Sequence, residues 1–179
     1  GKVLLNDSEG MTRIINQLLD IAELDSLVIE PREEADLRTV CMEVVEFLAP
    51  LALALGKEVA LVGTSDSVRV RGNAEMLYRA IRNLGENAIR HTSPGSTVEF
   101  VVNGNGAVSV LDDGPGISDE ERDFIFQRFW RRDRGMPDST GLGLPIVQRI
   151  AELHAATVTF TNRDPRGACF TIKFTLFGT

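Results

Sequence analysis

Only two cysteines, two histidines, one tryptophan and one tyrosine occur in 179 residues. Cys41 and Cys169 have no metal-like spacing, and both stand among apolar neighbours, so both are expected to be buried free thiols in a reducing compartment. Positive charge is also scarce. Nineteen Lys and Arg against 26 Asp and Glu give a net charge of −7, which argues against a broad nucleic-acid or membrane-surface footprint. The longest apolar stretch, Phe47 to Leu55, is short and holds Pro50, so it cannot span a bilayer. Signal peptide and initiator methionine are both missing. The chain therefore reads as a cytoplasmic piece cut from a longer protein, whose remainder could be membrane-anchored.

What is present fits a soluble globular domain: 43% hydrophobic and 25% charged residues in a length that suits one domain with a short appendage. Residues 10–28 read as an amphipathic helix. Met11, Ile15, Leu18 and Ala22 form a narrow seam, widened by Ile14 and Ile21, that suits a bundle or coiled-coil partner. "VIEPREEAD" then reads as a linker, so residues 1–30 are expected to stand apart from a main domain over 31–179. In that domain, helices are expected over 36–55, over 73–91 with Asn73 as N-cap, and over 144–155. Strands are expected over 58–62, 67–71, 97–103, 107–112, 156–162 and 168–176, with hairpins across Asn103–Gly106 and across "NRDPRG". The fold class is α+β, with helices on one face of a mixed, mostly antiparallel sheet.

Three stretches carry chemistry. On the 73–91 helix, Leu77, Ile81, Leu84 and Ala88 make the core stripe, while Asn83 and Asn87 share a second face that Arg90 and His91 continue. A carboxamide oxygen can ligate Mg²⁺ and its NH₂ can donate to phosphate oxygen. The same two asparagines would equally suit an exposed polar face. "LDDGPGI" ends an apolar strand in Asp112 and Asp113, then supplies Gly114 and Gly116, so a fixed carboxylate stands beside bare backbone. That describes a pocket for a flat base with an exocyclic amine; a plain Asp-Gly turn is the simpler alternative. "STGLGLPIV" leads small residues, Thr140, Gly141, Leu142, Gly143 and Leu144, into a helix start whose free N–H groups could cradle phosphate. Between the last two, Arg128, Arg131, Arg132 and Arg134 crowd into seven residues. Local positive charge there suits a triphosphate, or merely a solvated basic loop.

The order of these stretches resembles the catalytic ATP-binding domain of sensor histidine kinases. The N, G1, F and G2 boxes of that family correspond to "NLGENAIRH", "DDGPGI", "IFQRFWR" and "GLGLPIV". The resemblance covers about residues 31–179 and implies the Bergerat fold. "MTRIINQLLDIAELDSL" is similar to the end of the second helix of the family's dimerisation and phosphoacceptor domain. The resemblance implies ATP and Mg²⁺ as ligands, with Asn87 on the metal and Asn83 near the phosphates. Asp112 would accept from the adenine amine, Gly114 and Gly116 would admit the base, and Ile117 would pack on its ring. Asp113 would face solvent. Arg90 and His91 stand where the family often has Lys and Tyr. Arg131 would meet the γ-phosphate, with Arg128 in the same segment, which is expected to act as a nucleotide-ordered lid. Ala168 replaces a frequent Ser or Thr.

The resemblance also implies a function: transfer of the γ-phosphoryl group to a histidine on the dimerisation domain, for relay to a response regulator, within a homodimeric full-length protein. Relatives of the same fold that hydrolyse ATP place a Glu four residues before the metal-binding Asn. That position is Asn83, and a neutral amide is no base near pH 7. Neither His91 nor His154 lies in the N-terminal helix or matches the phosphoacceptor motif, so the acceptor is expected upstream of Gly1. An anti-sigma-factor-type serine kinase and a non-catalytic nucleotide-sensing module are the alternatives within the same fold.

Overall fold

The structure is a computed structural model that describes residues 11–12, 14–19, 21–24, 32–127 and 143–178. Among the described residues, seven strands and four helices follow the N-terminal helical residues: β1 Glu34–Asp36, α1 Leu37–Ala54, β2 Glu58–Gly63, β3 Arg69–Arg71, α2 Ala74–Arg90, β4 Thr97–Val102, β5 Ala107–Leu111, α3 Asp119–Arg122, α4 Gly143–Leu153, β6 Thr157–Asn162 and β7 Ala168–Lys173. The main sheet has the order β2-β4-β5-β7-β6. Only β2 and β4 run parallel; every other neighbouring pair is antiparallel. Alternation sets the layers. Val98, Phe100 and Val102 of β4, Val108 and Val110 of β5, and Phe170 and Ile172 of β7 point inward. Against them lie α1, α2 and α4, which bury Val44 and Leu48, Leu77 and Ile81, and Ile146 and Ile150. This is the α+β layering expected from the pattern.

Local signals set the helix ends. The Asp36 side chain accepts from Arg38 N–H to cap α1, and the Asn73 side chain accepts from Met76 N–H to cap α2. Two elements depart from expectation. The stretch read as linker contains β1, which pairs antiparallel with β3 from Glu34↔Arg71 to Asp36↔Arg69. It was illegible because three residues are too few to show a period, and the pairing partner lies 33 to 37 positions away. The short α3 was also missed, although Ser118 followed by Asp119, Glu120 and Glu121 is an N-cap with an acidic first turn. Cys41 is buried as expected, but Cys169 is only half-buried, because its odd position in β7 faces the open side of the sheet.

The N-terminal helical residues split in two. Met11, Ile15 and Leu18 are exposed, whereas Ile21 and Leu24 join the core. Glu23 meets Arg79 of α2 at 3.1 Å in the same region. All four seam residues are thus uncovered, Ala22 included, while Ile21 and Leu24 anchor the end of the segment on the main domain.

Candidate functional site

The site forms where the C-terminal half of α2, the loop after β5, the start of α4 and the β6–β7 hairpin converge. Asn83 is buried, at 3% exposure, which removes the exposed-face alternative. Its Nδ2 donates to Arg79 O at 2.6 Å. Its Oδ1 faces the start of α4, where a Cβ on Gly143 would lie 3.5 Å away. Two of the motifs are therefore in contact. One turn later, Asn87 is half-buried, and its side chain has no hydrogen bond among the described residues. Arg90 and His91 follow, both half-buried, with His91 as the C-cap whose N–H donates to Asn87 O at 3.2 Å. Glu86 is held by Arg82 at 3.7 Å and is not a free base.

The C-terminal end of α2 has a support that the pattern did not reveal. Lys57, just before β2, is buried, and its Nζ donates to the Ile89 carbonyl. This satisfies one of the carbonyls that a helix end leaves unpaired. Burial holds the Lys57 ammonium below the ordinary lysine range.

Asp112 closes β5 and is 4% exposed. Its Oδ1 accepts from Gly114 N–H at 2.9 Å and Ala168 N–H at 3.2 Å. No described residue donates to its Oδ2, so one oxygen of this carboxylate is left for a ligand donor. Burial raises the Asp112 carboxyl above its ordinary value, and the two backbone donors only partly oppose this. Asp113 is exposed as expected. Gly114 is required by close approach: any Cβ there would collide with the His91 carbonyl oxygen. Gly116 has φ 76°, and a side chain there would meet Asn162 Oδ1 at 2.6 Å. Ile117 is half-buried against the core.

The β6–β7 hairpin supplies residues that sequence reasoning overlooked. Asn162 exchanges two hydrogen bonds with the Ile117 backbone, at 2.8 and 2.7 Å. Arg163 Nη1 donates to Asp112 O at 2.8 Å, and Arg166 Nε donates to Asp113 O at 2.8 Å. Asp112 N–H donates back to Ala168 O at 3.0 Å. The hairpin therefore fixes the whole turn after β5. The "NRDPRG" segment was legible only as a turn, because backbone contacts over 45 or more positions leave no mark on local pattern. Leu144 is half-buried at the start of α4, and Phe126 packs edge-on to Phe170 at 6.5 Å. Arg128, Arg131, Thr140, Gly141 and Leu142 lie outside the described residues, as does the rest of the expected lid.

Residues 72–177 match the family described as "Histidine kinase-, DNA gyrase B-, and HSP90-like ATPase". The chain belongs to this family. Among curated relatives, it is 34% identical over 170 residues to the sensor protein QseC of Escherichia coli K12, across 93% of this chain and 38% of QseC. It is 35% identical over 155 residues to the sensor protein kinase PmrB of Pseudomonas aeruginosa, across 84% of this chain and 32% of PmrB. A solved structure of full-length ShkA in complex with AMPPNP superposes with a TM-score of 0.78 at 26% identity, over 99% of this chain and 39% of ShkA. The chain thus spans well under half the length of these relatives, and it carries the catalytic ATP-binding domain of sensor histidine kinases. The helical layer over a mixed sheet is the fold that the resemblance implied. Among the described residues, no helix is long and apolar enough to cross a membrane.

Proposed function

We propose that residues 31–179 bind Mg-ATP and donate its γ-phosphoryl group to a histidine on a dimerisation domain, of which residues 1–30 are the remnant. Asp112 is the observation that carries this reading. It is a buried carboxylate with one oxygen locked by two backbone N–H groups and the other free of any described donor. Such a group is complementary to an exocyclic amine and repels a carbonyl in the same place. Ile117 packs on the base, and Asn83, Arg90, His91 and the residues Thr140 to Leu144 serve the phosphates, with Arg128 and Arg131 supplying positive charge.

The described residues contain no cluster of His, Cys, Asp and Glu that would hold a metal by itself. A hard cation would therefore be shared between one protein oxygen and phosphate oxygens, as is usual for Mg²⁺. The unengaged, half-buried Asn87 carboxamide fits that part. When bound, Mg²⁺ neutralises charge on the phosphates. The protein's own share is to position the nucleotide and to withhold a base. Asn83 cannot accept a proton, and Glu86 is engaged by Arg82, so water is not activated.

Neither histidine of the chain lies in the N-terminal helix: His154 is buried with both ring nitrogens hydrogen-bonded, and His91, whose backbone N–H caps α2, is assigned to the phosphates. The acceptor is accordingly a histidine outside this chain, on a domain that pairs with a second copy through the exposed Met11, Ile15 and Leu18. The phosphoryl group then passes to a response regulator, and the whole assembly is cytoplasmic. The test is labelling with γ-³²P-ATP. This chain alone should show very slow hydrolysis and no acid-labile label. A separately supplied dimerisation domain with its histidine should become labelled weakly, since no covalent link raises its local concentration. Label on His91 or His154 would overturn the assignment.

A further inference from the structure

The histidine at the end of α4 has no place in the phosphotransfer scheme, yet it joins the two helices that carry the phosphate-binding motifs. His154 is 7% exposed. Its Nε2 accepts from Asn73 N–H at 3.1 Å, so the proton of the neutral ring sits on Nδ1, which donates to Ile150 O at 2.7 Å. Asn73 is the N-cap of α2, the helix of Asn83 and Asn87. Ile150 lies in α4, the helix that opens at Gly143 against Asn83. Space is tight on every side: a Cβ on Gly72 would lie 2.5 Å from His154 Cδ2, and Phe174 packs edge-on at 6.0 Å.

We propose that neutral His154 is a positioning residue for nucleotide binding, a proton-sensitive link that sets α2 against α4 and so sets Asn83 and Asn87 against the start of α4. The inference rests on the nucleotide-binding reading above. The physical reason is donor matching. Protonation at Nε2 would place an N–H opposite the Asn73 N–H, so the contact would turn from a hydrogen bond into two opposed donors. It would also put a cation at the N-terminus of α2, the positive end of that helix.

Burial lowers the His154 pKa from its ordinary value, opposed by the bond to Ile150 and by Glu33. Glu33, on the segment before β1, is the charged group that acts on the ring; Gly72 and Asn73 at the α2 start, Phe174 after β7 and Ile150 on α4 bring none. Glu33 also accepts from Asn73 Nδ2 at 2.9 Å, and its carbonyl accepts from Gly72 N–H at 3.1 Å. The link therefore extends to the segment that comes from the N-terminal helix. The folded state favours the neutral ring. The contribution of this contact is intact above the unfolded histidine pKa, about 6.5, and is lost as pH falls below it.

The experiment measures ADP affinity with Mg²⁺ by calorimetry between pH 4.5 and 8, a range extended downward because burial depresses the folded His154 pKa, for the whole chain and for His154→Gln and His154→Phe. Glutamine can keep an acceptor toward Asn73 without titrating, and phenylalanine keeps the ring volume without either nitrogen. Proton binding by the nucleotide is common to all three proteins and cancels in the ratios. The expected result is that the wild-type protein loses about fivefold more affinity than His154→Gln on going to low pH, the worth of one hydrogen bond. His154→Phe should bind more weakly at every pH. NMR should show the Asn73 amide titrating in the wild-type protein and not in His154→Gln, whether or not nucleotide is present. Parallel pH profiles for the wild-type protein and His154→Gln, or wild-type affinity in folded His154→Phe, would overturn the proposal. Failure of all three proteins to bind ADP, with the Asn73 amide still titrating, would instead overturn the nucleotide-binding reading.

Discussion

Asn162 and Ile117 hold each other reciprocally: Ile117 N–H donates to Asn162 Oδ1 at 2.8 Å, and Asn162 Nδ2 donates to Ile117 O at 2.7 Å. One carboxamide thus satisfies both backbone groups of the residue that ends the turn after β5. The turn is pinned again at its start, where Arg163 holds Asp112 O at 2.8 Å. A glycine-rich loop that must receive a flat ligand would otherwise be the most mobile part of the site. Beyond the Asp112–Gly114 contact within the turn, its rigidity comes from the far hairpin.

Asn162→Ala should therefore weaken nucleotide binding without touching the nucleotide. Two neutral hydrogen bonds near solvent contribute about 1–2 kcal/mol together, which corresponds to a loss of about five- to thirtyfold in ADP affinity if the turn must be re-ordered on binding. Asn162→Asp should be nearly as damaging, because a carboxylate cannot donate to Ile117 O and repels it. Calorimetry of the two variants beside the wild-type protein checks this; unchanged affinity in both would mean that the turn holds itself.

Asp112→Asn should separate stability from binding. The folded state raises the Asp112 pKa above its ordinary value of 3.8, chiefly through burial. A raised carboxyl pKa means that the folded protein holds the proton more tightly than the unfolded chain. The associated stability is present below pH 3.8 and is lost as pH rises through the folded pKa. At neutral pH the charge is thus a burden on the fold. Asp112→Asn should keep or raise Tm at pH 7, and its advantage over the wild-type protein should shrink toward pH 4. Affinity for adenine nucleotides should fall at least tenfold, since a charged hydrogen bond is worth about 1.5–3 kcal/mol. Thermal denaturation across pH and calorimetry at pH 7 read the two effects independently.

These two residues also show what could be read from the chain and what could not. Asp112 announced itself, because a carboxylate at the end of Ala107–Leu111 breaks the apolar pattern of a buried strand. Asn83 and Asn87 were legible by helical spacing, and the cap Asn73 by residue type. Asn162 carried no such mark, since its partner lies 45 positions away and any polar residue suits the end of an exposed strand. Lys57 and His154 were silent for the same reason: each serves a backbone group of a distant element. Sequence pattern reports which face is buried and which residue starts a helix. It does not report which side chain reaches across to an unpaired N–H or carbonyl.

Ala155→Gly should stabilise the protein. Helix α4 ends with Ala156 N–H donating to Ala151 O at 2.8 Å and Ala155 N–H donating to Glu152 O at 3.2 Å. That pair of bonds is the Schellman motif, which places its penultimate residue in the left-handed region. Here that residue is Ala155, with φ 50°, the sole non-glycine residue of positive φ among the described residues. An L-residue in this region costs about 1–2 kcal/mol, and glycine loses about 0.5–1 kcal/mol more backbone entropy on folding than alanine. The difference favours glycine by about 0.5–1 kcal/mol, or about 1–4 °C in Tm for a chain of this size. Differential scanning calorimetry checks it. A lower Tm in the variant would show that the Ala155 methyl group makes contacts that outweigh the backbone cost.

Gly114→Ala and Gly104→Ala are the same chemical change in two glycine-rich turns, and only the first should disturb the site. At Gly104, in the β4–β5 hairpin, an added Cβ has nothing within 4 Å. Alanine there should leave binding unchanged and alter stability by no more than about 1 kcal/mol, in either direction. At Gly114 the added Cβ meets the carbonyl oxygen of His91, which is backbone at the end of α2 and cannot swing aside as a side chain would. Either the turn after β5 or the end of α2 must shift. Both carry the site: Gly114 N–H anchors Asp112 Oδ1, and the end of α2 lies one turn past Asn87. Gly114→Ala should lower nucleotide affinity by at least tenfold, since displacing the turn forfeits a charged hydrogen bond worth about 1.5–3 kcal/mol. Backbone overpacking should also cost about 1–3 kcal/mol of stability. Calorimetric titration and thermal melts of both variants decide it. Wild-type affinity in Gly114→Ala would mean that α2 and the turn after β5 do not need the approach seen here, and the site as assembled from these elements would have to be redrawn.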